Sequence, residues 1–353
     1  MKEFYFREYE PNQIKEYINS RDLYAQYLAE IEKIKNSFRY YYGFQKVNDK
    51  EYLFKENMLT KKRDYFKLDK EKALSIKNSY DLTKKSFMEK HAKTKEALKK
   101  REAYNKFESI NRVPNELIAI LRKINEMGLN KKVIVIGTNS LYAYEAKCGV
   151  FIEQQLLATD DIDLLNKRDK KISLAFLESS QPKNIVELLK SIDKTFEQNE
   201  KIPYAFINKN NTVVEIVNPH SKTIKCDNTR EDPFFDEVIK LEMNKIEWLE
   251  NSRLFQAEII GLNGKIAKIT TIHPLDYAVY KNWLSNQPDR VAYKRVRDKT
   301  QSLLVTKLIK EYLINIDIEE ELSKMKHLNL QAIELYKEKI IRIGNSKEIK
   351  DIK

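Results

Sequence analysis

The spacing of hydrophobic residues changes along the N-terminal third of the chain. Residues 12–36 carry apolar side chains at intervals of three or four, which predicts a helix. Residues 37–68 contain partly alternating aromatic residues around a turn-like VNDK, which predicts a small β-meander. Residues 69–106 are polar with a helical pattern. An amphipathic segment then begins after Pro114 and ends at Gly128, as expected for a further helix.

The middle of the chain has a different pattern, in which short apolar runs alternate with amphipathic segments. VIVI and DIDLL predict strands, and NSLYAYEAK between them predicts a helix that Gly149 closes. NIVELLKSID predicts a second helix, and YAFIN and TVVEIV predict a hairpin across KNN. A second hairpin is expected to turn at Asn263 and Gly264. From Pro274 onward the pattern is helical.

These patterns predict an α/β (α+β) protein with a mixed sheet and three domains. We expect an N-terminal helical region with the meander at 1–130, a core at 131–272, and a C-terminal helical domain at 273–353. A chain of 353 residues with 42% hydrophobic residues is long and apolar enough for two or three packed domains.

The charge of the chain suits a polyanionic partner. Lys and Arg number 65 against 53 Asp and Glu, which gives a net charge of +12. Nucleotides and nucleic acids fit that charge, although a low-GC genome that favours Lys, Ile and Asn is an equally good explanation. Residues 83–106 hold nine Lys and Arg against three Glu. A solvated helix face is the favoured interpretation there, and a face that binds RNA or DNA is the alternative. For the meander, a small sheet with one solvated face is likewise the favoured interpretation. Nucleic-acid binding is again the alternative, because its basic and aromatic residues suit phosphates and bases.

Several classes of protein are disfavoured. Only Cys148 and Cys226 are present, so we expect no disulfide framework and a reducing, cytoplasmic environment. The four histidines have no zinc-ligand spacing with the cysteines. The charged N-terminus does not resemble a signal peptide, and no apolar run approaches 18 residues. We therefore expect no membrane partner.

Acidic residues in the apolar strands are the strongest indication of chemistry. Alternate residues of a strand point to opposite faces, so Asp161 and Asp163 should share one face, about 7 Å apart. Two like charges at this distance favour a cation between them, and Mg²⁺ prefers carboxylate oxygens together with substrate phosphates. Glu215 lies within a β-branched strand and is a third candidate ligand. Three carboxylates can hold two Mg²⁺ or Mn²⁺ ions, one activating a hydroxyl and the other stabilising a leaving pyrophosphate.

A glycine turn is the second indication. Gly137 follows a strand and precedes a helix, where backbone N–H groups can hold phosphate oxygens. Thr138 and Ser140 add hydroxyl groups. The turn is neither a P-loop nor a dinucleotide fingerprint, because the residues that define those motifs are missing.

A strand, a Gly-Thr turn, a helix and two acidic strands together describe the nucleotidyltransferase superfamily that includes DNA polymerase β. The chain closely resembles a bacterial family of that superfamily whose signature reads GTNALYAYEA and then ATGDIDLL. The corresponding segments here are GTNSLYAYEA at 137–146 and ATDDIDLL at 158–165. The resemblance extends to RVPNELIAILR, VVEIVNP, HPLDYAVYKNWLSNQPDR and KRVRDKTQSLL, and so covers most of the chain.

The resemblance implies a polymerase-β-like core with a nucleotide site and a metal site. The nucleotide would be bound by the turn residues Gly137, Thr138, Asn139 and Ser140. The metal ions would be held by Asp161, Asp163 and Glu215, and Glu215 would polarise the acceptor hydroxyl.

Three residues depart from the family pattern. Glu215 stands where the family usually has Asp, Asp160 replaces Gly, and Ser140 replaces Ala. These changes alter the reach and the charge of the site without deleting an essential group.

The C-terminal helices offer cations for the phosphates. Lys281 is the favoured nucleotide-binding candidate, because it precedes Trp283, an aromatic residue able to stack on a base. A core Trp283 with a solvated Lys281 is the competing interpretation. For three further cations a structural or surface role is favoured, with Asp298 expected to pair with one of them: Lys294, Arg295 and Arg297.

We therefore expect a metal-dependent transferase that moves a nucleoside monophosphate from a nucleoside triphosphate (NTP) to an acceptor hydroxyl. An RNA 3′ end, such as that of tRNA, is the favoured acceptor. A protein acceptor, as in toxin or defence systems, is one alternative. A nucleic-acid- or partner-binding protein that keeps the fold with little turnover is another.

Overall fold

The computed structural model describes most of the chain. The described residues are 4–48, 50–159, 161–167, 185–200, 202, 204–217, 248–325 and 330–348, with side chains up to 341 in the last segment. Asp160 and Cys226 lie outside them.

The N-terminal part consists of two long helices, separated in the sequence by a small sheet. Its elements are β1 (Arg7–Glu8), α1 (Pro11–Ser37), β2 (Tyr40–Val47), β3 (Lys50–Asn57), β4 (Arg63–Phe66) and α2 (Lys70–Phe107). Strands β2, β3 and β4 pair in that order as an antiparallel meander, which confirms the prediction for this segment. Helix α2 starts at an N-cap aspartate, Asp69, whose side chain accepts a hydrogen bond from the backbone N–H of Lys72.

The middle part contains most of the strands. Its elements are α3 (Asn115–Met127), β5 (Val133–Val135), α4 (Leu141–Cys148), β6 (Val150–Phe151), α5 (Gln154–Leu157), β7 (Asp161–Asn166), α6 (Ile185–Ile192), β8 (Glu197–Gln198), β9 (Ala205–Ile207), β10 (Val213–Val217), β11 (Leu254–Ile260) and β12 (Ile266–Ile272). The C-terminal part is helical, as expected, with α7 (Pro274–Ser285), α8 (Ala292–Tyr312), α9 (Ile318–Lys324) and α10 (Leu330–Glu348).

The central sheet has five strands in the order β5-β7-β10-β9-β8. Strands β7 and β10 are parallel, whereas the other neighbouring pairs are antiparallel, so the sheet is mixed. The predicted α/β fold class with a mixed sheet is therefore confirmed. The β11–β12 hairpin forms a separate two-stranded sheet. The division into three domains at 130/131 and 272/273 stays a prediction.

One continuous hydrophobic core joins the central sheet to the helices around it. It includes residues of α3, α4, α7 and α8 together with the buried faces of β5, β7 and β10. The apolar faces of the strands are buried because their side chains alternate, so the polar residues of β7 and β10 collect on the opposite face. No helix among the described residues is both long and apolar enough to cross a membrane.

The two long N-terminal helices pack against each other and against the core. Asn105 on α2 donates to the backbone carbonyl of Gly264 in the β11–β12 turn, at 2.8 Å. A Cβ atom at Gly264 would lie 2.0 Å from the carbonyl oxygen of Glu102, so only glycine permits this close approach. Tyr24 on α1 is fully buried and donates to Asn125 on α3.

Several short elements were not predicted. Strand β1 pairs with β6 through backbone hydrogen bonds, and each strand has only two residues, too few for a periodic pattern. The helix expected to begin at Asn139 begins instead with a 3₁₀ turn, Thr138–Ser140, followed by α4.

Candidate active site

Three carboxylates from two neighbouring strands form a compact acidic cluster. Asp161 and Asp163 project from β7, and Glu215 projects from β10. The parallel register pairs Glu215 with Asp163, so the two side chains leave the sheet on the same face. One carboxylate oxygen from each residue lies within 4.8 Å of the others. The three acids that the sequence singled out are therefore adjacent.

The electrostatics of the acidic cluster favour a bound cation. The pKa of Asp163 is raised to about 7, mainly by burial and also by the negative charges of Asp161 and Glu215. Lys281 and Arg297 oppose this rise with their positive charges. Three carboxylates at this separation are a donor set that suits a hard divalent ion such as Mg²⁺ or Mn²⁺.

The glycine turn lies directly against the acidic cluster. The backbone N–H of Ile136 donates to the carbonyl of Asp163 at 3.0 Å, which carries the end of β5 alongside β7. Gly137 has φ +70° and ψ −154°, a conformation open almost only to glycine. A Cβ atom at this position would lie 2.1 Å from Oδ2 of Asp163. Glycine is therefore required both by the backbone and by the neighbouring carboxylate.

The side chains of the turn are buried and anchored to protein groups. Asn139 donates from Nδ2 to the backbone carbonyl of Asp161 at 2.8 Å. Ser140 accepts a hydrogen bond from the Thr271 hydroxyl at 2.7 Å. Thr138 accepts from Gln301 Nε2 at 3.2 Å. These contacts fix the turn against β7, β12 and α8. Nucleotide binding by Gly137, Thr138, Asn139 and Ser140 stays a prediction.

The start of the turn has the geometry at which backbone N–H groups can bind an anion. The first hydrogen bond of the 3₁₀ turn is donated by Ser140 to the carbonyl of Gly137 at 3.3 Å. The N–H groups of Thr138 and Asn139 precede it, as the unsatisfied donors at a helix start do.

Lys281 is buried beside the acidic cluster. Its side chain is 5% exposed, so the alternative that it is solvated is wrong. Its ammonium group donates to Asp298 Oδ1 at 2.7 Å, and Arg290 donates from Nε to Asp298 Oδ2 at 2.9 Å. The expectation that Asp298 pairs with Lys294, Arg295 or Arg297 is therefore wrong. Sequence neighbours on a helix point in different directions, and the partners come from α7 and from the segment before α8.

Trp283 packs against other aromatic rings. Its ring centroid lies 5.5 Å from that of Trp248 and 6.2 Å from that of Tyr280. This arrangement agrees with the packed interpretation of Trp283, while base stacking by this residue stays untested.

Gln301 is a site-neighbouring residue that the sequence reasoning missed. It is fully buried, accepts from the hydroxyl of Tyr277 at 3.0 Å and donates to Thr138. Gln301 precedes the apolar run SLLV of α8, and its polarity alone does not identify its partners. It links the C-terminal helices to the glycine turn.

A mixed sheet with a glycine turn beside three carboxylates is the arrangement expected of a nucleotidyltransferase. A family profile described as Nucleotidyltransferase matches residues 115–326, more than half of the chain. The chain belongs to this nucleotidyltransferase family. No curated protein and no solved structure matches it significantly. The resemblance to the narrower bacterial signature family stays a prediction.

Proposed function

We propose that the protein transfers a nucleoside monophosphate from an NTP to an acceptor hydroxyl and releases pyrophosphate. The observation that carries this proposal is the convergence of Asp161, Asp163 and Glu215 within 4.8 Å, opposite the turn at Gly137. In the reaction, the acceptor oxygen forms a bond to the α-phosphorus. The bond from that phosphorus to the bridging oxygen of pyrophosphate breaks, and the hydroxyl proton leaves to a carboxylate or to solvent.

In this proposal the acids bind divalent cations and the turn binds phosphate. Asp161, Asp163 and Glu215 would hold Mg²⁺ or Mn²⁺, and the metal would supply charge stabilisation for the phosphates and activation of the acceptor hydroxyl. Glu215 orients that hydroxyl. The backbone N–H groups after Gly137 bind phosphate oxygens, and the buried side chains of Thr138, Asn139 and Ser140 keep the turn in place.

Lys281 adds positive charge at the nucleotide side of the proposed site. Its ammonium group acts on Asp163 electrostatically while it donates to Asp298. A buried cation in this position would offset part of the negative charge of a bound triphosphate.

We propose RNA, with a 3′ end such as that of tRNA, as the acceptor. The support is the distribution of charge. Residues 39–107, comprising β2, β3, β4 and α2, form a segment that we call the basic arm. It contains 20 Lys and Arg against 10 Asp and Glu, a net charge of +10 within a chain of net charge +12. The family match begins after the basic arm, at residue 115.

Four exposed lysines lie in a row along one side of α2. They follow one another at intervals of 10, 4 and 7 residues, which keeps them on one side of the helix. They are Lys85, Lys95, Lys99 and Lys106. Within the described parts of the chain, none of them forms an ion pair. The row spans about 30 Å at 1.5 Å per residue, a length suited to several phosphates of a nucleic acid.

The test is a search for labelled product. The protein is incubated with each α-³²P-labelled NTP, with Mg²⁺ or Mn²⁺, and with total RNA or lysate protein. We expect label in RNA and release of pyrophosphate, both lost in Asp163→Asn. The control is Glu197→Gln, an exposed acid on the edge strand β8 of the same sheet, and it should keep activity.

The outcomes separate the competing functions. Label in protein rather than RNA would replace the acceptor with a protein side chain. Metal-dependent NTP binding without label in any fraction would favour a binding protein that retains the fold. Absence of both binding and label would overturn the proposed transferase.

A further inference from the structure

The N-terminal half of α8 lines the acidic cluster and the glycine turn. Asp298 accepts a hydrogen bond from Lys281 of α7. Gln301, three residues further along the helix, donates to Thr138 of the glycine turn. Arg297 is the neighbour of Asp298 on the same helix. The positions 297, 298 and 301 lie on adjoining parts of one helix surface, because residues three or four apart are neighbours.

The cations around Asp298 differ in whether they have an acidic partner. Asp298 is fully buried, and its two oxygens accept hydrogen bonds from Lys281 and from Arg290. Arg297, by contrast, forms no ion pair in the described ranges of the chain. Its Nε atom is buried and has no hydrogen-bond acceptor there. A buried guanidinium N–H without an acceptor is unfavourable unless a ligand supplies one.

The guanidinium of Arg297 is close to the acidic cluster. Burial is the largest cause of the raised pKa of Asp163, and the charge of Arg297 opposes that rise. Burial also lowers the pKa of Lys281, and the charge of Arg297 lowers it further. Arg297 on α8 is thus near enough to both Asp163 and Lys281 for its charge to act on them, and Gln301 on the same helix contacts the glycine turn.

We propose that Arg297 binds the phosphate chain of the NTP substrate directly, whereas Lys281 and Arg290 direct their hydrogen bonds to Asp298. This inference rests on the proposed function. The planar guanidinium suits the chelation of phosphate oxygens by two N–H groups, and the buried Nε is one donor of that pair. Because the phosphate chain is common to all NTPs, Arg297 contributes equally to each of them and makes no choice of base.

The first measurement is thermal stability without nucleotide. If Arg297 had only a structural role, Arg297→Gln would lower Tm, as the removal of a cation that pairs with a buried carboxylate does. We expect Arg297→Gln to keep the wild-type Tm, since its Nε has no hydrogen-bond acceptor among the described residues. Arg290→Gln should lower Tm, because Asp298 then loses one of its two cationic partners. A fall for Arg297→Gln as large as that for Arg290→Gln would overturn the proposal.

The second measurement is binding by calorimetry of MgATP, MgCTP, MgGTP, MgUTP and magnesium pyrophosphate. Arg297→Gln should weaken the binding of pyrophosphate and of every NTP that the wild type binds. The affinities should fall by a similar factor, about tenfold or more. Arg297→Lys should recover part of that loss. Arg295→Gln, an exposed arginine on the same helix, is the matched control and should bind as the wild type does.

The outcomes distinguish this inference from the proposed function. If wild type and Arg297→Gln bind NTPs equally, Arg297 is not a phosphate ligand, while transfer by the wild type can still be demonstrated. A loss for one NTP but not the others would also overturn the proposal, because it would indicate contact with the base. If the wild type binds no NTP in the presence of Mg²⁺ or Mn²⁺, both proposals fail.

Discussion

The acidic cluster and the basic arm differ in the sign of their charge and in how that charge is distributed. At the acidic cluster, three carboxylates lie within 4.8 Å of one another, and burial raises the pKa of Asp163 to about 7. In the basic arm, a net charge of +10 is distributed over 69 residues, and the lysines in the row on α2 are exposed. Water and salt screen charges of the second kind strongly, whereas buried charges are screened much less.

This difference indicates two kinds of ligand. Concentrated, partly buried charge is stabilised by a small ion of opposite sign held at short distance. Dispersed, exposed charge gives a weak field over a long surface and suits an extended polyanion whose counterions are released on binding. The family match covers the acidic cluster and excludes the basic arm, so the two regions can be tested separately.

The largest effect should come from removing a carboxylate. We expect Asp161→Asn to reduce nucleotide transfer by at least about a hundredfold, because a metal ligand and charge at the reacting centre are lost together. Binding of RNA to the basic arm should stay within twofold, as measured by fluorescence anisotropy at fixed salt. Parallel loss of RNA binding would show that the two regions are not independent.

The next effect concerns the contact between the glycine turn and Asp163. Gly137→Ala should reduce transfer strongly and destabilise the fold by about 1–3 kcal/mol, because the new Cβ meets the carboxylate and the backbone is strained. Chemical denaturation measures the stability change.

Gly128→Ala separates the two causes. Gly128 also has a positive φ, of +76°, but a Cβ there has no atom within 4 Å. This variant should show the strain alone and keep transfer activity. Equal loss of activity in both variants would contradict a specific role for the turn.

A moderate effect is expected from the lysine row on the basic arm. Replacement by Gln of Lys85, Lys95, Lys99 and Lys106 should weaken RNA binding at low salt. The slope of log affinity against log salt concentration should fall in magnitude by about 3, since each lost contact with a single-stranded phosphate contributes about 0.7. Affinity for MgATP should not change, because these residues lie outside the acidic cluster.

The control replaces four exposed lysines outside the basic arm. These are Lys131, Lys190, Lys209 and Lys310. Both variants have the same net charge, so equal losses of RNA binding would mean that total charge, and not the basic arm, attracts the RNA.

The last effect leaves transfer and RNA binding unchanged: it is a pH dependence of stability that belongs to neither region. Burial raises the pKa of Glu145 on α4 to about 7, with the charge of Arg112 and the N–H of Ile152 acting in the opposite direction. The folded state then holds a proton more tightly than the unfolded chain, whose carboxyl has a pKa near 4.5. Stability from Glu145 is full below pH 4.5 and is lost as the pH rises to about 7, by up to about 3 kcal/mol.

Glu145→Gln should remove this part of the pH dependence. The quantity to measure is the difference in unfolding free energy between wild type and variant at several pH values, since Asp163 has a raised pKa of the same sign. A difference that stays constant from pH 4.5 to 8 would show that Glu145 titrates normally.

Several features could be predicted because they depend on neighbouring residues alone. The alternation of acidic and apolar residues in DIDLL placed Asp161 and Asp163 on one face, and the turn residues located the hairpin at Gly264. The partners of Asp298 and the contact of Thr138 with Gln301 could not be predicted. These contacts join residues that are distant in sequence, and no local pattern encodes the packing that brings them together.

Periodicity and residue type by themselves determined the order of the longer strands and helices, the acidic residues worth testing and the excess of positive charge in the N-terminal third. Only the tertiary structure decided that β7 and β10 are parallel neighbours with Glu215 opposite Asp163. It also decided that Arg297, unlike Lys281, has a buried donor with no acceptor among the described residues. The physical reason is that local backbone preferences act over a few residues. Register, burial and charge pairing depend on which distant segments share the core.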